Sequence, residues 1–164
     1  MFTSIQKKVA EGVSVNQTDA YGTSFLFDYL EAYYRTFDKD DLPEAPPESV
    51  LSALDWFLEQ GADLNCGRFL FPFTLAVGRL DLYMTRWLLE HGADPSVYPE
   101  DDATETNYSL YMLGNYRFLS RREGTFSADA EQRVNDLLQL LHDYGVRGTW
   151  QGITLNNEGV FIEP

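Results

Sequence analysis

Apolar residues in this chain fall into stripes of helical spacing, and the stripes stop at glycines. Phe57-Leu-Glu-Gln-Gly61-Ala-Asp-Leu-Asn65 returns as Leu88-Leu-Glu-His-Gly92-Ala-Asp-Pro-Ser96. Val9-Ala-Glu-Gly12-Val-Ser-Val-Asn16 is an earlier copy, and Leu140-Leu-His-Asp-Tyr-Gly145 a weaker last one. Each phrase predicts a helix whose apolar face ends where glycine takes the left-handed conformation without a Cβ penalty. A small residue and Asp or Ser then make a tight turn. The glycines are 49, 31 and 53 residues apart. One interval is a compact repeat, and the other two are that repeat with an insertion.

Helix starts precede these stops. Asp19-Ala-Tyr-Gly22-Thr23-Ser24-Phe25-Leu26, Phe71-Pro72-Phe73-Thr74-Leu75-Ala76 and Asn107-Tyr108-Ser109-Leu110-Tyr111-Met112 each place a polar or proline start before an apolar run. The pattern predicts a helix over Ser24–Phe37, a second from Pro47 to Gln60, and a third from Ser127, as N-cap, to Tyr144. Between the first two, Asp38 to Glu48 holds five acids and three prolines and cannot continue a helix. A second insertion, Leu119–Phe126, is expected to separate the two helices of the last unit. After Thr149 the period changes: Ile153-Thr-Leu155, a turn at Asn157-Glu-Gly159, then Val160-Phe-Ile162 predict a short hairpin or extended cap.

The closing phrases and partial openings resemble the ankyrin repeat, whose units run about 33 residues. The resemblance covers residues 9–146. Ser24 stands where that family has proline, no copy carries the opening histidine, and Leu80 stands where glycine is usual. The resemblance implies one all-α domain, an ankyrin-like stack of helix-turn-helix units closed by a short C-terminal extended or hairpin cap. Its parts would be a cap helix over 1–16, a first unit over 17–65 with the acidic insertion, a second over 66–96, a third over 97–148 with the other insertion, and a cap over 149–164. It also implies protein–protein binding without catalysis.

Composition narrows the partner. The hydrophobic fraction of 44% and charged fraction of 23% are those of a folded protein. A net charge of -14 opposes binding to nucleic acid and anionic membranes and favours basic partners, although it also serves solubility alone. The single cysteine, Cys66, excludes an intrachain disulfide framework. No apolar run approaches the ~20 residues that span a bilayer, and Met1–Val15 lacks the apolar core of a secretory signal. A cytoplasmic monomer is expected.

Candidate chemistry is sparse. His91 and His142 both sit just before a closing glycine, where a polar residue at a helix C-terminus is ordinary. With Cys66 they do not form a zinc-ligand spacing. The glycines stop helices rather than build a phosphate loop. The acids of Asp38–Glu48 and Glu100–Glu105 lack the ligand order of a calcium loop. No catalytic residue, metal or cofactor is expected, and an enzyme would need a site assembled from distant residues. The acids read either as solvated loop charge or as a landing surface for a basic protein. Aromatics crowd Phe25–Phe37 and recur from Tyr108 to Phe118, as core or as partner contacts. Trp56 and Trp87 fall on core stripes, and Trp150 is placed to seal the last unit.

The candidate partner-binding residues are therefore Tyr33, Tyr34, Asp38, Asp40, Asp41, Glu100, Asp101, Asp102, Tyr108, Tyr111 and Tyr116. The expected function is that of an acidic protein that binds and neutralises a basic one, such as an immunity protein against a bacterial toxin. The alternative is a scaffold or adaptor subunit that recruits a client.

Overall fold

The computed structural model describes residues 1–37, 41–98 and 106–164. They form seven helices and three short strands: α1 (Phe2–Ala10), α2 (Phe25–Tyr34), α3 (Glu48–Glu59), α4 (Pro72–Gly78), α5 (Leu82–Glu90), α6 (Tyr108–Glu123), α7 (Ala128–Asp143), β1 (Gly148–Trp150), β2 (Ile153–Asn156) and β3 (Gly159–Ile162). The protein is mostly helical, as the periodicity predicts, with a small antiparallel sheet at the C-terminal end.

Local chemistry sets the helix starts. The Ser24 hydroxyl accepts from the Phe27 amide, the Asp81 carboxylate from Met84, the Asn107 side chain from Ser109 and Leu110, and the Ser127 hydroxyl from Ala130. Each satisfies donors that the first helical turn leaves unpaired. Pro72 sits in the first turn of α4, where its missing amide costs nothing. At the stops, Gly12, Gly61, Gly92 and Gly145 have φ of 95°, 77°, 98° and 87°. The next amide reaches back to close the turn, Ala62 to the Phe57 carbonyl and Ala93 to that of Leu88, both at 2.9 Å.

α4 packs against α5 and against both α2 and α6, and α7 packs against α5 and α6, so α2, α4 and α6 form one layer and α5 and α7 lie in another. One hydrophobic cluster runs through the molecule, from Ile5 through Leu30, Phe57, Phe73, Leu88, Leu113 and Leu141 to Leu155. α1 covers the near end. Its Phe2 ring lies 5.4 Å from Tyr29 and 5.3 Å from Trp56, which is where part of the aromatic surplus of α2 is absorbed.

The repeated phrase has a repeated bonding pattern. The Asn16 amide donates to the Gly61 carbonyl at 3.0 Å and accepts from the Asp63 amide at 2.7 Å. Asn65 does the same one turn further on, donating to Gly92 at 3.3 Å and accepting from Asp94 at 2.7 Å. Each asparagine thus ties its own turn to the corresponding turn of the next copy of the phrase. The openings are joined too, by the Arg68 amide donating to the Gly22 carbonyl at 3.0 Å; a Cβ on Gly22 would lie 2.5 Å from that of Arg68.

The sheet has the order β1-β2-β3, with Trp150 opposite Ile153 and Leu155 opposite Val160. Ile153 and Leu155, on the central strand, are buried. The β1–β2 turn, Gln151-Gly152, has positive φ at both residues, the handedness that suits a two-residue hairpin.

Several boundaries differ from expectation. α2 stops at Tyr34 rather than Phe37; the Thr36 hydroxyl donates to the Tyr33 carbonyl at 2.7 Å and turns the chain out of the helix. Leu119–Phe126 is not a loop between two helices. Its first five residues are good helix formers apart from Ser120 and extend α6 to Glu123, and only the left-handed Gly124 (φ 70°) ends it. Leu80 itself takes φ of 56° in the α4–α5 turn, so a residue with a Cβ holds the conformation that favours glycine. Trp56 and Trp87 are half-buried rather than enclosed.

Candidate interaction site

The first layer carries a shallow groove of about 250 Å³ that crosses α2, α4 and α6. Phe27, Leu75 and Met112 come from the three helices, and Phe69 and Leu70 from the loop that leads into α4. Leu70 is 45% exposed, a large apolar side chain left in water. Along the α6 side runs a row of aromatic rings. Tyr98 lies 6.0 Å from Tyr108, Tyr108 stacks with Tyr111 at 5.8 Å, and Tyr111 lies 5.1 Å from Trp150. The row is assembled from three places in the chain: the loop after the third closing phrase, α6 and β1.

Its far end is fixed by the cap. The Trp150 indole donates to the Asn115 side chain at 3.0 Å, and Gly114 makes room for the ring, since a Cβ there would lie 2.8 Å from its Cδ1. Trp150 therefore packs on α6 and ends the row, whose four rings are all half-buried.

The candidate residues separate into groups. Tyr108 and Tyr111 belong to the row. Tyr116 is half-buried further along α6, 6.1 Å from Phe126, and does not join them. Tyr33 is 8% exposed and Tyr34 1% exposed, so as placed neither presents a surface to a partner. The physical reason is that α2 lies against α4, and its C-terminal end meets the start of α5. The Tyr34 hydroxyl donates to the Asp81 carboxylate at 3.0 Å, and the Tyr33 ring packs on Tyr34 and Phe37. Burial pushes the Tyr33 phenol up to about 12 and Tyr34 well above its ordinary value. Burial also raises the Asp81 carboxyl, opposed by the Met84 amide and the Tyr34 hydroxyl. Asp41 is exposed on the first insertion. Asp38, Asp40, Glu100, Asp101 and Asp102 lie outside the described residues.

Tyr98, Leu70, Met112 and Trp150 also lie at this face and are not among the residues named from the sequence. Tyr98 follows a closing phrase directly, a position from which a side chain reaches the start of the next helix pair, and this is the one signal that could have found it. The two histidines have structural roles. His91 caps α5 with Nδ1 2.7 Å from the Trp87 carbonyl, and His142 has Nε2 2.8 Å from the Asn156 carbonyl, tying α7 to the sheet. Among the described residues no group of three or more His, Cys, Asp or Glu is placed to hold a metal ion, and no helix is long and apolar enough to cross a membrane.

No family model matches the chain, and no curated protein matches it.

Proposed function

We propose that this chain is a non-catalytic protein-binding module of ankyrin-like construction that captures a basic protein partner. The observation that carries the reading is the aromatic row Tyr98–Tyr108–Tyr111–Trp150 beside an apolar groove, on a chain of net charge -14. Tyr and Trp bury much area for few rotatable bonds and are the residues that dominate binding energy at interfaces. The net charge of the whole chain favours a basic partner over an acidic one, while Arg79 is the charged side chain that lines the groove itself. The turn-to-turn asparagine bonds support the ankyrin-like reading, because they hold successive units in one register and so keep the face rigid before binding.

The concrete version is an immunity protein that neutralises a secreted bacterial toxin of nuclease type, a class of protein that must itself be basic to engage phosphates. Co-expression with candidate toxins encoded beside its gene tests this. Growth is restored and a complex elutes from gel filtration, with affinity falling steeply as salt rises; Tyr111→Ala weakens it by about 2 kcal/mol or more. A complex insensitive to salt would instead support the scaffold or adaptor reading, and no rescue by any neighbouring toxin would discard the immunity version.

A further inference from the structure

The other layer carries a larger cleft, of about 530 Å³, between α5 and α7. One wall is the first insertion: Leu42 and Glu44 close it after the chain leaves α2. The floor is apolar and consists of Leu80, Leu82 and Trp87, all half-buried. Trp87 is fixed in place. The His91 ring stacks on it at 4.0 Å, and His91 is in turn held by the Trp87 carbonyl.

The rim is polar, and most of its α7 side is already satisfied. Asp129 pairs with Arg133 at 2.9 Å, and Asp136 accepts from Gln132 at 2.8 Å. On the other side Glu44 and Glu90 are exposed carboxylates with no partner among the described residues. Arg86 on α5 is likewise without one, being N-terminal to Glu90 in the weaker of the two helical orders for an ion pair. Four carboxylates thus line the cleft against two guanidinium groups, over a floor that water solvates poorly.

We propose that this cleft is a second docking site, which takes Lys- or Arg-bearing extended segments of the protein partner. The aliphatic stem of such a side chain lies on the Leu80–Leu82–Trp87 floor while its cationic head reaches Glu44 or Glu90, as long basic side chains do wherever apolar surface adjoins acid. The indole adds attraction for the cation. Charge complementarity commits the occupant: the free rim charge is negative, and so is the whole chain. The acidic insertion then acts as one wall of a recognition cleft as well as a source of long-range steering. The proposal rests on the basic-partner reading above and extends it to the opposite layer.

Two-dimensional NMR of the full chain tests it, with a short blocked peptide of alternating Leu and Lys as probe and its Leu–Glu counterpart as control. The Leu–Lys peptide shifts the Trp87 indole signal, assigned from Trp87→Phe, and the amides of Arg86 and Glu90 saturably. Glu44→Lys with Glu90→Lys weakens binding about tenfold or more, while the same double charge change at Glu59 and Glu158, exposed acids outside the cleft, changes it less than about threefold. Absence of shifts at Trp87, equal binding of the Leu–Glu peptide, or indifference to the paired Glu→Lys changes would each overturn the cleft as a site for basic segments. The two readings fail separately: a natural partner that proved acidic ends the function proposed above, and a cleft that ignores the Leu–Lys peptide while the natural basic partner still binds ends only this inference.

Discussion

Tyr34→Phe removes one oxygen from the middle of the molecule and isolates one interaction. The Tyr34 ring is 1% exposed, so phenylalanine fills the same space and the packing is unchanged. What is lost is the 3.0 Å bond to the Asp81 carboxylate, a group itself only 4% exposed, which also accepts from the Met84 amide at the start of α5. A hydrogen bond to a charged group contributes about 1.5–3 kcal/mol, and leaving the carboxylate short of a donor places the cost at the upper part of that range. For a domain of this size the corresponding fall in Tm is about 3–12 °C.

The pH dependence has a definite sign. Burial raises the folded Asp81 pKa above 3.8, so the folded state holds a proton that the unfolded chain releases. Stability assigned to this group therefore falls as pH rises from 3.8 through the folded value and is recovered on acidification. Tyr34 is one of the groups that oppose the shift, with Met84, Tyr83 and Arg133, so removing its hydroxyl raises the pKa further and deepens the loss at neutral pH. The difference between wild type and Tyr34→Phe, measured by urea unfolding, is expected to be larger at pH 7 than below pH 4, where a bond between neutral groups contributes about 1 kcal/mol. In an Asp81→Asn background, which keeps the cap and removes the charge, the cost of Tyr34→Phe shrinks toward the same value. A loss below about 0.5 kcal/mol at pH 7, or one larger in acid than at neutral pH, would refute the reasoning.

Three further outcomes follow from the packing. Asn65→Ala breaks both bonds between the second and third turns and is expected to cost about 1–2 kcal/mol, with faster hydrogen exchange at Asp94 but not at Asp63. Gly114→Ala gains up to about 1 kcal/mol of helix propensity but drives a methyl into Trp150 at 2.8 Å; overpacking of about 1–3 kcal/mol wins, and the indole emission shifts to the red as the ring is displaced. Ser127→Ala removes the acceptor for the Ala130 amide and lowers the stability of α7 by about 1 kcal/mol in denaturant unfolding, without changing the fold.

The helix stops, their glycines and the caps at Ser24 and Ser127 were legible because each depends on residues within a single turn of backbone. The same holds for the tail, where a change of period from helix to strand announced β2 and β3. Phe57–Asn65 and Leu88–Ser96 were legible as copies, and the pairing of their turns follows from one asparagine side chain at a fixed offset from its glycine. The extension of α6 past Leu119 was not, since helix-forming residues there compete only with a loop, and the outcome turned on where the next glycine falls.

The placement of the aromatics was legible only in part. Tyr108 and Tyr111 were named as contacts and lie together in the row, whereas Tyr33 and Tyr34, drawn from an equally aromatic stretch, are enclosed. Nothing local distinguishes these two pairs. Tyr34 is covered because α5 begins with Asp81, 47 residues away, and offers an acceptor at the right depth. Trp150 joins the row because Gly114 leaves space for it, and Leu42 walls a cleft because α7 lies across from α5. The sequence by itself determined where the glycine-stopped helices end, that the closing phrase recurs, and that the net charge is negative, because backbone conformation and net charge are set by neighbouring residues and by composition. Only the tertiary structure decided which aromatics meet water and which carboxylate is buried, because exposure depends on what another part of the chain places on top.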